Sequence, residues 1–129
     1  MKRTILSIIV MTMALTAMAD DVMQKKGDTY IVNTTTLCQK KGYKSTTPVE
    51  VHIQKGKVVK VVALPNKESK GYFKVILQNL LPLYNDIKVA KAEKLSVQPQ
   101  VDAYTGATFS GNAVQANIHA ALKYYKEHK

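Results

Sequence analysis

The sequence predicts an α+β fold: a small antiparallel sheet with helices packed on one face and a closing C-terminal helix. Three observations predict it. In residues 49–54, Val49, Val51 and Ile53 alternate with Glu50, His52 and Gln54, the period of two that marks a half-buried strand. Phe73, Ile76, Leu77 and Leu80 recur at helical spacing. Val114, Ile118, Ala121, Leu122 and Tyr125 make a second helical stripe near the C-terminus.

From the N-terminus, Lys2 and Arg3 precede a short apolar run over residues 4–15, and Ala17-Met18-Ala19 fits a small-x-small cleavage pattern. Residues 1–19 therefore read as a secretory signal peptide, with Asp20 as the mature N-terminus. The run is shorter than the roughly 20 residues of a bilayer span; an uncleaved anchor is the alternative. Residues 20–39 form an N-terminal extension. Its first part, 20–28, is polar and expected to fray, whereas the β-branched and aromatic residues 29–33 make a candidate first strand. Residues 34–48 are Thr-rich, contain Gly42 and end in Pro48, which predicts a loop.

A hairpin follows. Lys55-Gly56-Lys57 supplies the turn and residues 58–64 return as the partner strand, with Val59, Val61 and Ala63 toward the core and Lys60 away from it. Pro65 breaks the sheet, and a helix is predicted over 72–81, ended or kinked by Pro82. Residues 89–101 are ambiguous, with a strand expected near 95–98. The closing helix is capped by Ser110 or Asn112, and Lys123, Lys126 and Lys129 suit the negative pole of its dipole.

Composition narrows the function. The 129 residues carry a net charge of +10, which falls to +8 once Lys2 and Arg3 leave with the signal segment. What remains, roughly 110 residues, is one domain with a modest core. Export combined with a basic surface argues against a nucleic-acid partner and leaves membranes or anionic ligands. The one cysteine, Cys38, has no internal disulfide partner and is expected to be buried and inert. His52, His119 and His128 have no Cys or His at metal-ligand spacing, so no metal site is expected.

One stretch carries chemistry: Asp102-Ala103-Tyr104-Thr105-Gly106-Ala107-Thr108-Phe109-Ser110-Gly111. Gly106 permits positive φ and close approach of a ligand to the backbone, and Ala107 adds almost no bulk. Thr108 is placed about one turn before the closing helix, whose first N–H groups have no internal acceptors. Those donors and the positive end of the dipole suit a phosphate. The same pattern also serves as an ordinary capping turn, and bare chemistry leaves both readings open. No arginine follows residue 3, so phosphate binding here rests on amides, hydroxyls and lysines.

The segment 102–110 closely resembles the Asp-x-x-Ser/Thr-Gly-Ala-Thr motif of the FMN-binding domain family, which includes flavoprotein subunits of sodium-translocating NADH:quinone reductase and of the Rnf electron-transport complex. Residues 40–64 are similar to the family's Gly-Tyr segment and hairpin, residues 66–73 to its Glu-Thr-Pro-Gly segment, and residues 110–122 to its closing helix. The resemblance spans roughly 40–125 in the family's order and marks 40–129 as the FMN-binding domain.

The resemblance implies that a separate, metal-dependent flavin transferase links FMN through its phosphate to Thr108. Asp102 matches the aspartate that the transferase's recognition of its target requires. Thr105, Gly106 and Ala107 match the turn around the phosphate, and Glu68, Ser69 and Gly71 the segment beside the isoalloxazine ring. Ser69 and Lys70 stand where the family has Thr-Pro, which loosens that loop. The chain looks like a minimal, stand-alone version of the domain.

No histidine lies within the motif to activate Thr108, so it reads as a modified residue, and no catalytic residue is assigned. Tyr104 and Phe109 flank the motif, either to stack on the flavin or to pack in the core. The expected function is that of an exported, membrane-associated electron carrier, in the periplasm or on the outer face of the cytoplasmic membrane. It would exchange electrons with a membrane or exported redox partner and is an electron-transfer protein more than a stand-alone enzyme. The alternatives are a non-covalent FMN-dependent reductase and a flavin-free periplasmic binding or adaptor module.

Overall fold

The computed structural model describes residues 22–42, 44–95 and 105–129, without the side chains of residue 72 and of residues 105–108. The signal segment 1–19, Asp20, Asp102, Tyr104 and residues 96–98 of the expected strand lie outside the described residues. Among those described, no helix is long and apolar enough to cross a membrane.

Five antiparallel strands form one meander in chain order: β1 (Met23–Lys26), β2 (Thr29–Asn33), β3 (Val49–Gln54), β4 (Lys57–Ala63) and β5 (Ile87–Lys88). The expected α+β architecture is what the chain adopts. β1 corrects the expectation of a frayed start: it pairs with β2 from Met23↔Val32 to Lys26↔Thr29, through a two-residue turn with Gly27 at φ 61°. Its Gln24, Lys25 and Lys26 look polar because β1 is an edge strand, where exposed lysines discourage further pairing. Only Met23 turns into the core.

The β3–β4 hairpin turns through Lys55 and Gly56, both at positive φ (52° and 76°), the backbone that matches the strand twist. One residue of β4 then slips. Ile53 pairs with Val58 and His52 with Lys60, which leaves Val59 as the extra residue of a β-bulge. The bulge shifts the inward phase by one position. Val58 and Val61 are buried, and Val59 and Ala63, expected in the core, are only half-buried.

Helix α1 (Lys70–Asn79) begins and ends two residues earlier than predicted. Phe73, Ile76 and Leu80 are buried as expected, but Leu77 is 45% exposed, so the apolar stripe is narrower than its spacing suggests. Pro82 ends the helix rather than kinking it: it sits in the first turn of a 3₁₀ turn (Leu81–Tyr84), where its missing N–H has no acceptor to lose. A four-residue helix, α2 (Val89–Ala92), follows β5.

The closing helix α3 (Thr105–His128) has 24 residues, about 36 Å of helix. It starts well before the predicted caps, so Ser110 and Asn112 are helix-interior residues. The Thr-Gly-Ala-Thr stretch is the first turn itself, not a turn preceding it, and Gly106 is held in helical conformation. The residues after Ala107 are poor helix formers, so packing of the next turns, where Ser110, Ala113 and Val114 are buried, outweighs the turn preference of Thr and Gly.

α3 lies across β2 and β3 and against α1, and the 3₁₀ turn packs on β4. Val114, Ile118 and Leu122 meet Val32, Val51 and Ile53 from the sheet and Ile76 and Leu80 from α1 in one core. Burial of such side chains stabilises by about 1.5–3 kcal/mol each. One polar pair lies within it: the Thr34 hydroxyl donates to Asn117 Oδ1 (2.6 Å) and accepts the Val49 N–H (2.9 Å), and Asn117 Nδ2 donates to the Ala113 carbonyl (2.8 Å).

Candidate functional site

Beyond β4 the chain turns at Pro65, and Asn66 Oδ1 accepts the Glu68 N–H at 2.9 Å, a local turn that directs Glu68 inward. Glu68 is 7% exposed. Its Oε2 accepts the backbone N–H of Lys44 (2.6 Å) and of Ser45 (2.7 Å), and its Oε1 accepts the hydroxyl of Ser110, two residues beyond Thr108 on α3. A buried carboxylate requires such donors, and charge-assisted bonds to backbone amides are the strong kind.

The segment that offers those amides is tight. Lys41 and Thr46 form an isolated antiparallel bridge, and the Gly42 N–H donates to the Ser45 carbonyl at 2.8 Å. Ser45 Oγ donates to the Thr46 carbonyl and accepts the Lys67 N–H, both at 3.0 Å. Gly42 is needed for closeness: a Cβ there would stand 2.3 Å from Glu68 Oε1 and 3.0 Å from the Ser110 Cα.

Two recesses flank this junction. On one side Lys41, Lys44 and Lys67 join the hydroxyl residues Thr35, Ser45 and Thr46 around a cationic cleft of about 500 Å³. On the other, Glu68, Lys70, Phe73 and Lys74 line a hollow of about 190 Å³. It shares Asn66, Phe73 and Leu77 with an open groove of about 710 Å³ between β4 and α1, whose walls include Val62, Leu64, Leu81 and Pro82. Val62 and Leu77, two of the exposed large apolar side chains, belong to this groove.

The sequence-predicted residues fall as follows. Glu68 stands at the junction described. Ser69 is the N-terminal cap position of α1, without a side-chain capping bond, and its carbonyl accepts the Phe73 N–H at 2.8 Å. Gly71 is exposed at the start of α1, with nothing within 4 Å of where a Cβ would project. Thr105, Gly106, Ala107 and Thr108 are the first turn of α3; their side chains, like the whole of Asp102 and Tyr104, lie outside the described residues. Phe109 is 56% exposed, so of its two expected roles core packing does not apply.

The histidines are held apart. His52 lies 3.4 Å from Glu50 on β3, and His128 stacks on Tyr124 at the end of α3, with ring centroids 3.8 Å apart. His119 is half-buried and its Nε2 has no hydrogen-bond partner among the described residues. Burial lowers its pKa, and Glu93 partly offsets this. Among the described residues no group of three or more His, Cys, Asp or Glu side chains is placed to hold a metal ion. Cys38 is half-buried, more open than the expected buried thiol.

Sequence reasoning gave no site role to Gly42, to Ser110 as a partner of Glu68, or to Phe73 and Leu77, which it placed only in a helical core stripe. Gly42 lay in the segment similar to the family's Gly-Tyr stretch, but only the fold brings it against Glu68. Leu77 carried a signal of another kind, an apolar residue at a helical core position that the core does not take.

No curated protein and no solved structure matches the chain. The family model described as FMN-binding domain matches residues 42–123, from Gly42 through most of α3, and so takes in the junction at Glu68, the hollow beside it and the Thr-Gly-Ala-Thr turn. The chain belongs to the FMN-binding domain family, as an FMN-binding flavoprotein with FMN as its cofactor.

Proposed function

We propose that the chain is an exported electron carrier whose FMN is joined through its phosphate to the Thr108 side-chain oxygen by a separate flavin transferase. The observation that carries this reading is the position of residues 105–108 as the first turn of a 24-residue helix. The first four N–H groups of such a helix lack internal acceptors, and with the dipole they favour a phosphate beside them.

The residues present fit FMN. A flat, largely apolar ring needs apolar walls with a few polar groups. The hollow beside Glu68 and the groove it opens into supply Phe73, Leu77 and Val62 together with Asn66, Lys70 and Lys74. The groove's volume lies within the roughly 300–1,000 Å³ usual for small-molecule sites. Glu68 and Lys70 line the hollow, Ser69 and Gly71 are their neighbours in the chain, and the open space beside Gly71 leaves room for a ligand. Exposed Phe109, next to Thr108, is available to stack on the ring.

FMN supplies the redox chemistry when bound; this chain supplies attachment, orientation and electrostatics. Attachment forms one bond, from Thr108 Oγ1 to phosphorus, and the hydroxyl proton leaves. Phosphorus must release a leaving group in turn, so the donor is a flavin nucleotide activated as a phosphoanhydride. A threonine hydroxyl needs a base, and the base and metal ion belong to the transferase. Asp102 serves its recognition of the target, and Thr105, Gly106 and Ala107 shape the turn it acts on. A covalent tether suits an exported protein, for which lost FMN is hard to replace. The electrons pass between a membrane or exported reductase and an acceptor, with the protein as carrier rather than stand-alone enzyme.

The test is intact mass after co-expression with a flavin transferase. The expected result is the added mass of one FMN less one water, absent in Thr108→Ala, and a yellow pellet after acid precipitation. A colourless protein of unmodified mass overturns the reading, and a yellow supernatant replaces it with non-covalent FMN.

A further inference from the structure

We propose that Glu68 is a positioning residue: its carboxylate clamps the first turns of α3 to the 41–46 loop and so sets where Thr108 is presented, instead of serving as a ligand to the flavin ring. The proposal rests on the reading of Thr108 as the attachment residue. Three segments remote in sequence meet at this one side chain. Oε2 holds the Lys44 and Ser45 amides at 2.6 and 2.7 Å, and Oε1 holds the Ser110 hydroxyl. A carboxylate has about four acceptor positions, and at least three are taken within the protein.

The surroundings are built for that contact. Gly42 is the only residue type that lets the loop approach this closely, since a Cβ would reach 2.3 Å from Oε1. Lys67, next to Glu68, is tied to the same loop through its N–H and Ser45 Oγ at 3.0 Å. Along α3, Ser110 and Asn117 are seven residues apart and so lie on one side of the helix, two turns from each other. Asn117 is pinned to Thr34 at 2.6 Å. Two polar anchors on one side fix both the rotation and the sliding of the helix. Ser110 lies about 3 Å along the axis from Thr108, so the nearer anchor determines how the attachment turn faces a modifying enzyme.

The experiment compares amide hydrogen exchange in the full chain expressed without a transferase, for wild type, Glu68→Ala, Glu68→Gln and Ser110→Ala. It then measures the rate of flavin attachment to each by intact mass and the absorbance spectrum of each flavinylated product. Glu68→Ala is expected to speed exchange of the Lys44 and Ser45 amides and of the first turns of α3 by about tenfold or more, and to slow attachment by about the same factor. Ser110→Ala is expected to speed exchange only in α3 and also to slow attachment, and it keeps the proposal testable where Glu68→Ala does not fold. Glu68→Gln keeps one oxygen to accept the Lys44 and Ser45 N–H groups and can donate its new NH2 to the Ser110 oxygen, so it restores most of both, with an unchanged flavin spectrum. Unaltered α3 exchange in Ser110→Ala and Glu68→Ala overturns the clamp. So does a shifted flavin spectrum in Glu68→Gln, which makes Glu68 a ring contact. If wild type takes up no flavin, the attachment reading fails, while the exchange pattern still decides whether Glu68 holds the helix.

Discussion

Thr34→Val tests the deeper of the two anchors that hold α3. Thr34 and Asn117 are both 0% exposed, so neither has water as a substitute partner. The amide orientation of Asn117 is fixed by its neighbours: Nδ2 faces the Ala113 carbonyl at 2.8 Å, and the opposite orientation would set two acceptors against each other. The single proton of the Thr34 hydroxyl therefore goes to Asn117 Oδ1 at 2.6 Å, in preference to the Val49 carbonyl at 3.3 Å, and its oxygen accepts the Val49 N–H at 2.9 Å. Valine has nearly the same shape and leaves no cavity. The cost is then that of two buried groups without partners, about 1–3 kcal/mol each, or about 2–4 kcal/mol after relaxation. For a domain of this size that lowers Tm by roughly 10–25 °C. Urea and thermal unfolding followed by circular dichroism measure it. Asn117→Leu in the same background removes one orphaned acceptor, so the double variant should lose less than the two single variants together, with a coupling of about 1–2 kcal/mol. A loss below about 0.5 kcal/mol for Thr34→Val, or strict additivity, refutes the reasoning.

Gly42→Ala should cost about 2–4 kcal/mol in urea unfolding, because a methyl 2.3 Å from Glu68 Oε1 must displace a bonded carboxylate or the α3 backbone. Gly71→Ala, with open space around it, should be neutral to stabilising by up to about 1 kcal/mol. Burial lowers the folded-state pKa of His119, so the unfolded chain binds the proton more readily. Its contribution to stability is therefore full above the ordinary histidine pKa and is lost as pH falls through that value toward the lower folded one. Unfolding midpoints measured across the acid limb should show a shallower loss in His119→Gln. Leu77→Gln should change stability by no more than about 0.5 kcal/mol, because the side chain is already 45% exposed. It should nonetheless alter flavin fluorescence in the loaded protein, since Leu77 lines both the hollow and the groove.

What the sequence made legible follows the range of the interactions involved. The β3–β4 hairpin declared itself because alternation and a Lys-Gly turn are local signals, and the stripe on α3 because five apolar positions repeat over three turns. The bulge at Val59 was invisible: it is a relation between two strands, and the Val-Val pairs on either side of Lys60 offer either phase equally well. β1 was hidden because an edge strand gains its order from β2's backbone and keeps lysines outward. The start of α3 was misjudged because Thr and Gly in a first turn look the same in sequence as Thr and Gly in the turn before it. For the site, Glu68 was named from resemblance, but its partners come from residues 44–45 and 110 and no short-range pattern joins them.

If FMN is joined to Thr108 as proposed, the placement of the motif has a mechanical logic that the fold supplies and the motif alone does not. A first helical turn is the part of a helix most prone to fray, because its amides lack acceptors and its residues pack on one side only. On that proposal the hydroxyl profits from a helix end that opens easily, since another enzyme must reach it. The finished flavoprotein needs the opposite, a fixed anchor that keeps a redox ring in one place. Placing the motif at the tip of α3 meets the first need. Placing buried polar anchors at Ser110 and Asn117, within the next three turns, meets the second. The junction at Glu68 lies between the cationic cleft and the hollow beside Phe73, so one buried carboxylate ties together walls of both recesses and the start of α3.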